Sequence, residues 1–238
     1  MKHPSERFNF ALVRTFDSGN IGSAFRALLN MGFHHLWVIE PIHFNTDLIE
    51  KMAAGTKKEL KHLKTAGSLH DFAKQMEMIY AFSARPRKDY PHISLNELLS
   101  EVNQSTARHI GFLFGNETNG LNNDELYFAS KTVFIPTEHK HSSLNLAQAV
   151  LLAAYTLSGS EAFTSGPPLA TSGDKELLFS SLYQLIASHL FQKAITAKKN
   201  KILLHNAFQK WPLSKKELTY LHHVFQALRK KAPVDKPF

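Results

Sequence analysis

The chain contains no cysteine. That absence excludes a disulfide framework, a thiolate nucleophile and any zinc site built on cysteine. Long apolar runs are missing too. The longest, LNLAQAVLLAAYTL, falls short of the roughly 20 residues a membrane-spanning helix needs, and it carries Asn145 and Gln148. It reads as a buried helix. The N-terminal MKHPSERFNF lacks the continuous apolar segment of a secretory signal, so a cytoplasmic location with no membrane partner is expected. No G-x-S-x-G elbow is present, which removes the serine hydrolases built on it. The phosphate-loop patterns G-x-G-x-x-G and G-x-x-x-x-G-K-[ST] are absent as well. His139 and His141 have no partner at ligand spacing, and the pairs His34-His35 and His222-His223 read as surface residues, so no metal is expected. Acidic residues are the scarcer charge: 20 Asp and Glu stand against 28 Lys and Arg, a net charge of +8 with fourteen histidines besides. That balance favours an anionic partner such as nucleic acid, although many basic proteins are merely solubilised by their charge.

What is present is a soluble, globular composition, 43% hydrophobic over 238 residues, enough for one large core with an appendage. Up to residue 158, short apolar runs alternate with helical patterns. Strands are expected at FALVRTF, HLWVIEP, MIYAFSA, HIGFLFG and TVFIP. Helices are expected at GSAFRALLNMGF, ending at Gly32, at SLNELLSEV with Ser94 and Glu97 at capping-box spacing, at NNDELYFAS, and at SLNLAQAVLLAAYTL. This alternation implies an α/β fold, a mostly parallel sheet with helices on both faces. Residues 159–174 are rich in Ser, Gly, Pro and Thr and read as a linker between a domain at 1–158 and a basic helical extension at 175–238. Three amphipathic helical stretches fill the extension, the last opened by Ser214 and Glu217 at capping-box spacing. Lys198, Lys199, Lys201, Lys215, Lys216, Arg229, Lys230 and Lys231 make it either an RNA-binding arm or a support for the rest of the molecule.

Three strand-to-helix loops carry the chemistry candidates. In DSGNIGSAFRALLNMGF, Gly19 and Gly22 permit a tight backbone path, Asn20 can cap the helix, and Arg26 follows further along. A structural turn and an anion site both remain open there. FLFGNETNGLNNDEL places Gly115, Asn116, Glu117 and Asn119 after a strand, with Asn122 or Asn123 as a cap, and ligands in open α/β sheets sit at such strand ends. IPTEHKHSSLNLAQAV gathers Ser142, Ser143 and Asn145 at a helix start, with Ser143 as the expected N-cap.

Together and in this order, the three stretches resemble the motifs of the SpoU/TrmH branch of the SPOUT RNA 2′-O-methyltransferases. Within that branch the chain resembles the TrmJ-type tRNA enzymes, which also carry a C-terminal helical extension; LHNAFQKWPLSKKELTYLHHVFQAL is similar to its end. The resemblance implies a C-terminal trefoil knot in the α/β domain and a homodimer with its active site at the subunit interface. It implies S-adenosylmethionine as methyl donor, held by Phe82, Ser83 and Ala84, by Gly115, and by Ile135, Ser142, Ser143 and Leu144. It assigns catalysis to Arg26, Asn20, Glu117, Ser143 and Asn145, with Arg26 acting across the interface. The implied substrate is a pyrimidine ribose at the start of the tRNA anticodon loop; ribosomal RNA is the alternative, as is a silent RNA-binding relative. One departure stands out. The second motif usually reads G-R-E-R-x-G-L, and here Asn116 and Thr118 replace both arginines, with Arg85, Arg87 and Lys88 nearby as compensating charge.

Overall fold

The computed structural model describes residues 6–84, 90–138, 143–163, 166–190 and 194–231, with backbone alone at 187–190, 194–199 and 231. Its centre is a seven-stranded sheet of β1 (Phe8–Val13), β2 (Leu36–Ile39), β3 (Leu63–Ala66), β4 (Met78–Phe82), β5 (His92–Ser94), β6 (Ile110–Phe114) and β7 (Lys131–Phe134). The spatial order is β3-β2-β1-β6-β4-β7-β5, and every pairing is parallel. Buried along their whole length, β1, β2 and β6 read as continuous apolar runs, the pattern of a strand covered on both faces. The edge strands β3 and β5 do not. LKTA is half exposed and HIS is three residues long, so neither offers an apolar run. The sequence pattern missed both.

Nine α-helices stand among the described residues: α1 (Ser18–Asn30), α2 (Thr46–Met52), α3 (Leu69–Ala73), α4 (Leu95–Gln104), α5 (Asn123–Leu126), α6 (Leu146–Ser158), α7 (Ser172–Leu190), α8 (Ala194–Lys210) and α9 (Lys215–Lys231). Side chains alternate across each strand. Phe8, Phe10 and Leu12 of β1 therefore join Phe112, Phe114, Tyr80 and Phe82 beneath α1, α4 and α6. Ala11 and Val13 point the other way, toward Phe72 of α3 and Leu126 of α5. The aromatic layer on the first face is tight, with Phe10 and Phe112 centroids 5.2 Å apart and Phe82 stacked on Phe114 at 4.3 Å.

The last three helices close a small core of their own around Leu178, Phe179, Phe208 and Leu213. They do not hang from a free linker. Leu169 and Ala170 are buried, and α7 opens at Ser172, inside the expected linker, where Thr171 and Asp174 exchange backbone-to-side-chain hydrogen bonds of 3.0 and 3.1 Å. The docking seam is polar. Leu169 N donates to Glu77 Oε1 at 3.0 Å, Ser172 N to the Met76 carbonyl at 2.7 Å, and Lys175 Nζ to the Glu77 and Gln209 carbonyls at 3.3 and 3.2 Å. Burial pushes the Lys175 ammonium down to about 8, against the pull of Glu77 and Asp174. His205, fully buried, stacks on Tyr127 with centroids 3.2 Å apart and meets Glu176 at 2.7 Å; burial outweighs that carboxylate and holds the imidazole below its ordinary value.

Because all strands are parallel, the loops leaving β1, β4, β6 and β7 emerge at one edge of the sheet, where the strand order reverses. This is the position where open α/β sheets place their ligands.

Candidate active site

The β1 exit differs from the extended run expected through Phe16. The strand stops at Val13, and Arg14 adopts a left-handed backbone at φ 53°. A residue with a Cβ rarely rests there, so its surroundings must hold it. They do: the Arg14 guanidinium grips the Glu125 carboxylate from two nitrogens, Nη2 to Oε2 at 2.9 Å, and reaches the Gly120 carbonyl at 3.5 Å. The ion pair holds the Arg14 charge still more firmly than usual.

Asp17, rather than Asn20, caps α1, accepting from Gly19 N at 2.8 Å. With Asp17 on the helix end, the Asn20 amide serves another task. Its Nδ2 donates to Glu117 Oε1 at 2.8 Å, and its Oδ1 accepts from Asn145 Nδ2 at 3.1 Å. Gly22 answers a packing need. A Cβ there would lie 2.4 Å from the Ile49 carbonyl, so the glycine lets α1 and α2 touch.

The β6 exit is a tightly packed turn of backbone. A Cβ on Gly115 would come 2.2 Å from the main chain of Gly120 and Leu121, so only glycine fits. Asn116 is buried and turns its Oδ1 back to accept from Thr118 N at 3.2 Å and Asn119 N at 2.7 Å. Glu117 leaves this loop and crosses to the first one. It accepts from Phe16 N at 3.0 Å, Asp17 N at 3.2 Å and the Asn20 amide. Burial raises its affinity for a proton, but these donors outweigh burial and hold the carboxyl below its ordinary value. Asn122, of the two expected candidates, caps α5 in a reciprocal box with Glu125.

At the β7 exit Asn145 caps α6, where Ser143 was expected, accepting from Ala147 N at 2.9 Å. One asparagine thus satisfies the helix end with its oxygen and bonds Asn20 with its nitrogen. The result is a hydrogen-bonded chain, Asn145 to Asn20 to Glu117, that ties all three loops together.

Beside this chain lies a cavity of about 330 Å³. Phe82, Ser83 and Ala84, then Gly115, then Ile135, Ser143 and Leu144 line it, together with Glu117. The stacked rings of Phe82 and Phe114 form its base. Arg26 stands apart. It is exposed on α1, donates from Nη1 to the Ala54 carbonyl at 3.0 Å, and does not line this cavity. Ser142, His139, His141, Arg85, Arg87 and Lys88 lie outside the described residues. Sequence reasoning missed Arg14, Asp17 and Glu125; the only signal was an Asp two residues before the first glycine of the helix start. Among the described residues no group of three or more His, Cys, Asp or Glu could hold a metal ion, and no helix is long and apolar enough to cross a membrane.

Comparison with known proteins adds to this geometry. Residues 7–155 match the sequence model of the SpoU rRNA Methylase family. The chain is 30% identical over 195 residues to the tRNA (cytidine/uridine-2′-O-)-methyltransferase TrmJ of Cronobacter sakazakii, covering 77% of this chain and 80% of that protein. It is 33% identical over 146 residues to the protein of the same name from Sodalis glossinidius, where the match covers 60% of this chain and 57% of the relative's length. The solved structure of TrmJ from Z. mobilis ZM4 superposes with a TM-score of 0.81 at 25% identity, covering 93% of this chain and 98% of that one. A second solved structure, described as giving insight into 2-OH methylation of C/U34 on tRNA, superposes with a TM-score of 0.53 at 26% identity, over 65% of this chain and 95% of that one.

Proposed function

The chain belongs to the SpoU rRNA Methylase family, and from that premise we propose that it is a tRNA 2′-O-methyltransferase acting on a pyrimidine ribose at the start of the anticodon loop. The observation that carries the reading is the Asn145–Asn20–Glu117 chain, which locks three loops around one cavity. The names of the relatives support tRNA as the substrate. Ribosomal RNA is the alternative substrate.

The cavity fits S-adenosylmethionine. Gly115 lets the main chain of Gly120 and Leu121 pack tightly against the β6 exit, Phe82 and Phe114 offer an apolar surface, and the walls at Ser83 and Ala84, at Gly115, and at Ile135, Ser143 and Leu144 come from three strand ends. When bound, this group supplies an electrophilic methyl on a sulfonium. The residues of the chain then position and stabilise. A ribose hydroxyl is a poor nucleophile and must lose its proton, to solvent water here, as it attacks. Glu117 is poorly suited to take that proton, because its lone pairs already serve three donors and its affinity for a proton is lowered. We assign it the brace. A guanidinium keeps its proton in proteins, so Arg26 clamps the phosphate beside the target ribose and stabilises developing oxyanion charge. Ser143 and Asn145 orient the ribose and the loop beneath it.

Arg26 lies outside the cavity of its own subunit, which supports a homodimer in which it serves the partner's site. Leu151, Leu152 and Tyr155 are exposed along one side of α6, an apolar strip suited to such an interface. The trefoil knot at the β6–β7 end belongs to the same reading. The test is methyl transfer from labelled S-adenosylmethionine to unmodified tRNA and to ribosomal RNA separately, with the methylated nucleoside identified by mass spectrometry. A 2′-O-methylated pyrimidine from tRNA is expected. Label in ribosomal RNA alone would overturn the substrate, and no label in either would overturn the enzyme.

A further inference from the structure

The C-terminal helices have no task in the reading so far. Where α8 turns into α9, Trp211, Leu213, Lys216, Glu217, Tyr220 and Leu221 wall a second cavity of about 380 Å³. It shares no lining residue with the first. Two of its walls are aromatic side chains turned to solvent, Trp211 at 48% exposure and Tyr220 at 69%. The Trp211 ring is held from below by an edge contact with buried Phe208, centroids 6.0 Å apart and planes at 75°.

The surrounding charge is mostly positive. Lys210, Lys215 and Lys216 are exposed around the turn, and α9 carries five Lys and Arg against one Glu. Lys216, Tyr220, His223 and Lys230 recur at helical spacing on one exposed side of α9. The single carboxylate at the cavity is engaged: Glu217 Oε2 accepts from Ser214 N at 2.7 Å and Ser214 Oγ at 2.8 Å, closing the start of α9. Flat aromatic surfaces open to solvent and flanked by ammonium groups match single-stranded nucleic acid, whose bases stack while its phosphates meet the cations. An apolar protein partner would match the rings but leave the lysines unpaired.

We infer that Trp211 and Tyr220 form a stacking platform for unpaired nucleobases of the RNA substrate, a contact site separate from the methyl-transfer cavity. The inference rests on the RNA-methyltransferase reading above. It assigns the extension the role of an RNA-binding arm, with two named side chains as its contact.

Tryptophan emission provides the test. The chain has two tryptophans, and Trp37 is buried against Phe72, so an RNA-dependent change reports Trp211. The full chain is titrated with unmodified tRNA, with an oligouridine and with an RNA duplex of the same length. Quenching by tRNA and oligouridine but not by duplex is expected, and Trp211→Phe should abolish the signal. Tyr220→Ala, at a highly exposed position, should weaken tRNA binding about 5- to 150-fold, the loss of one stacked base, with S-adenosylmethionine affinity and melting temperature unchanged. Unchanged tRNA affinity in Tyr220→Ala overturns the platform. So does equal quenching by duplex, which would signify phosphate attraction without stacking. A concentration-dependent self-association abolished by Tyr220→Ala, with RNA affinity intact, would make the patch a protein interface and also overturn it. Methyl transfer is scored separately: quenching without methylation of any RNA sinks the enzyme reading and keeps the platform, while methylation without quenching does the reverse.

Discussion

Glu117→Gln probes the brace with little change of shape. In the wild type, Oε2 accepts from Phe16 N and Oε1 accepts from Asp17 N and the Asn20 amide. Glutamine keeps one acceptor oxygen. If it takes the Oε1 position, the Asp17 and Asn20 bonds survive in weakened, neutral form, and an NH₂ group faces Phe16 N, donor against donor. A hydrogen bond to a charged group contributes about 1.5–3 kcal/mol, and neutral ones about half as much. Solvent at this half-buried site reduces the whole, so the folded state should lose about 1–2 kcal/mol, a melting shift of roughly 2–8 °C for a chain of this size. Turnover should fall much further. The loop that Glu117 holds carries Asn20, and a displacement of about 1 Å near reacting groups costs on the order of 10²-fold in rate.

Melting curves and methyl transfer on the same preparations separate the two effects. A folded Glu117→Gln enzyme with unchanged kcat and KM would refute the brace. The pH profile gives a second check. The folded carboxyl is held below its unfolded value, so its contribution is complete above about pH 4.3 and fades only as pH falls through the still lower folded value. Between pH 6 and 9 the rate should therefore show no limb belonging to Glu117. A limb in that range that disappears in Glu117→Gln would make the residue a proton acceptor and contradict its assignment.

Arg26→Ala should lose nearly all turnover, at least about 10²-fold, while S-adenosylmethionine affinity measured by calorimetry changes little; equal loss of both would make the residue structural. Mixed dimers of Arg26→Ala and Glu117→Gln should regain activity, because one of the two sites then has both residues intact, and no recovery would place Arg26 in its own subunit's site. Lys175 titrates near 8 when folded and near 10.5 when unfolded, so the unfolded chain binds more protons between those values and stability should rise with pH across that window. Urea midpoints at pH 7.5 and 10 should show the rise, and it should be smaller in Lys175→Met. Thr118→Arg, at an exposed position, should preserve the fold and tighten tRNA binding, whereas Asn116→Arg removes the acceptor for two backbone N–H groups and should destabilise the chain by about 1–3 kcal/mol.

The central fold was legible because the central strands are buried on both faces. FNFALV, LWVI and IGFLF have no polar alternation to confuse with a surface, and each is followed by a helical period. The edges were not legible for the same physical reason. LKTA and HIS touch solvent, so nothing in their composition separates them from a loop. Composition alone marks residues 159–174 as a linker, because the contacts that dock them lie far away in sequence. Leu169 N and Lys175 meet Glu77, more than ninety positions earlier in the chain, and that pairing turns a Ser- and Gly-rich stretch into a docked segment.

The site shows where a motif stops informing. The resemblance pointed to Asn20, Glu117 and Asn145, but it could not say that one carboxylate and two amides form a single chain, because that depends on which asparagine caps which helix. Both cap expectations were local, and both moved: Asp17 took the place expected for Asn20, and Asn145 the place expected for Ser143. Each shift changes the chemistry. With Asp17 on the helix end, Asn20 is free to bridge; with Asn145 on the helix end, its amide nitrogen is left to hold Asn20 in one orientation. The same logic reinterprets the missing arginines. Asn116 is a turn-former whose oxygen folds the loop back on itself, and the loop's outer anchor is Arg14, which reaches in from β1 to Gly120 and Glu125. The anchor beside the second motif therefore comes from the residue after the first strand, where a comparison confined to the motif would not look for it, and its charge is matched by Glu125.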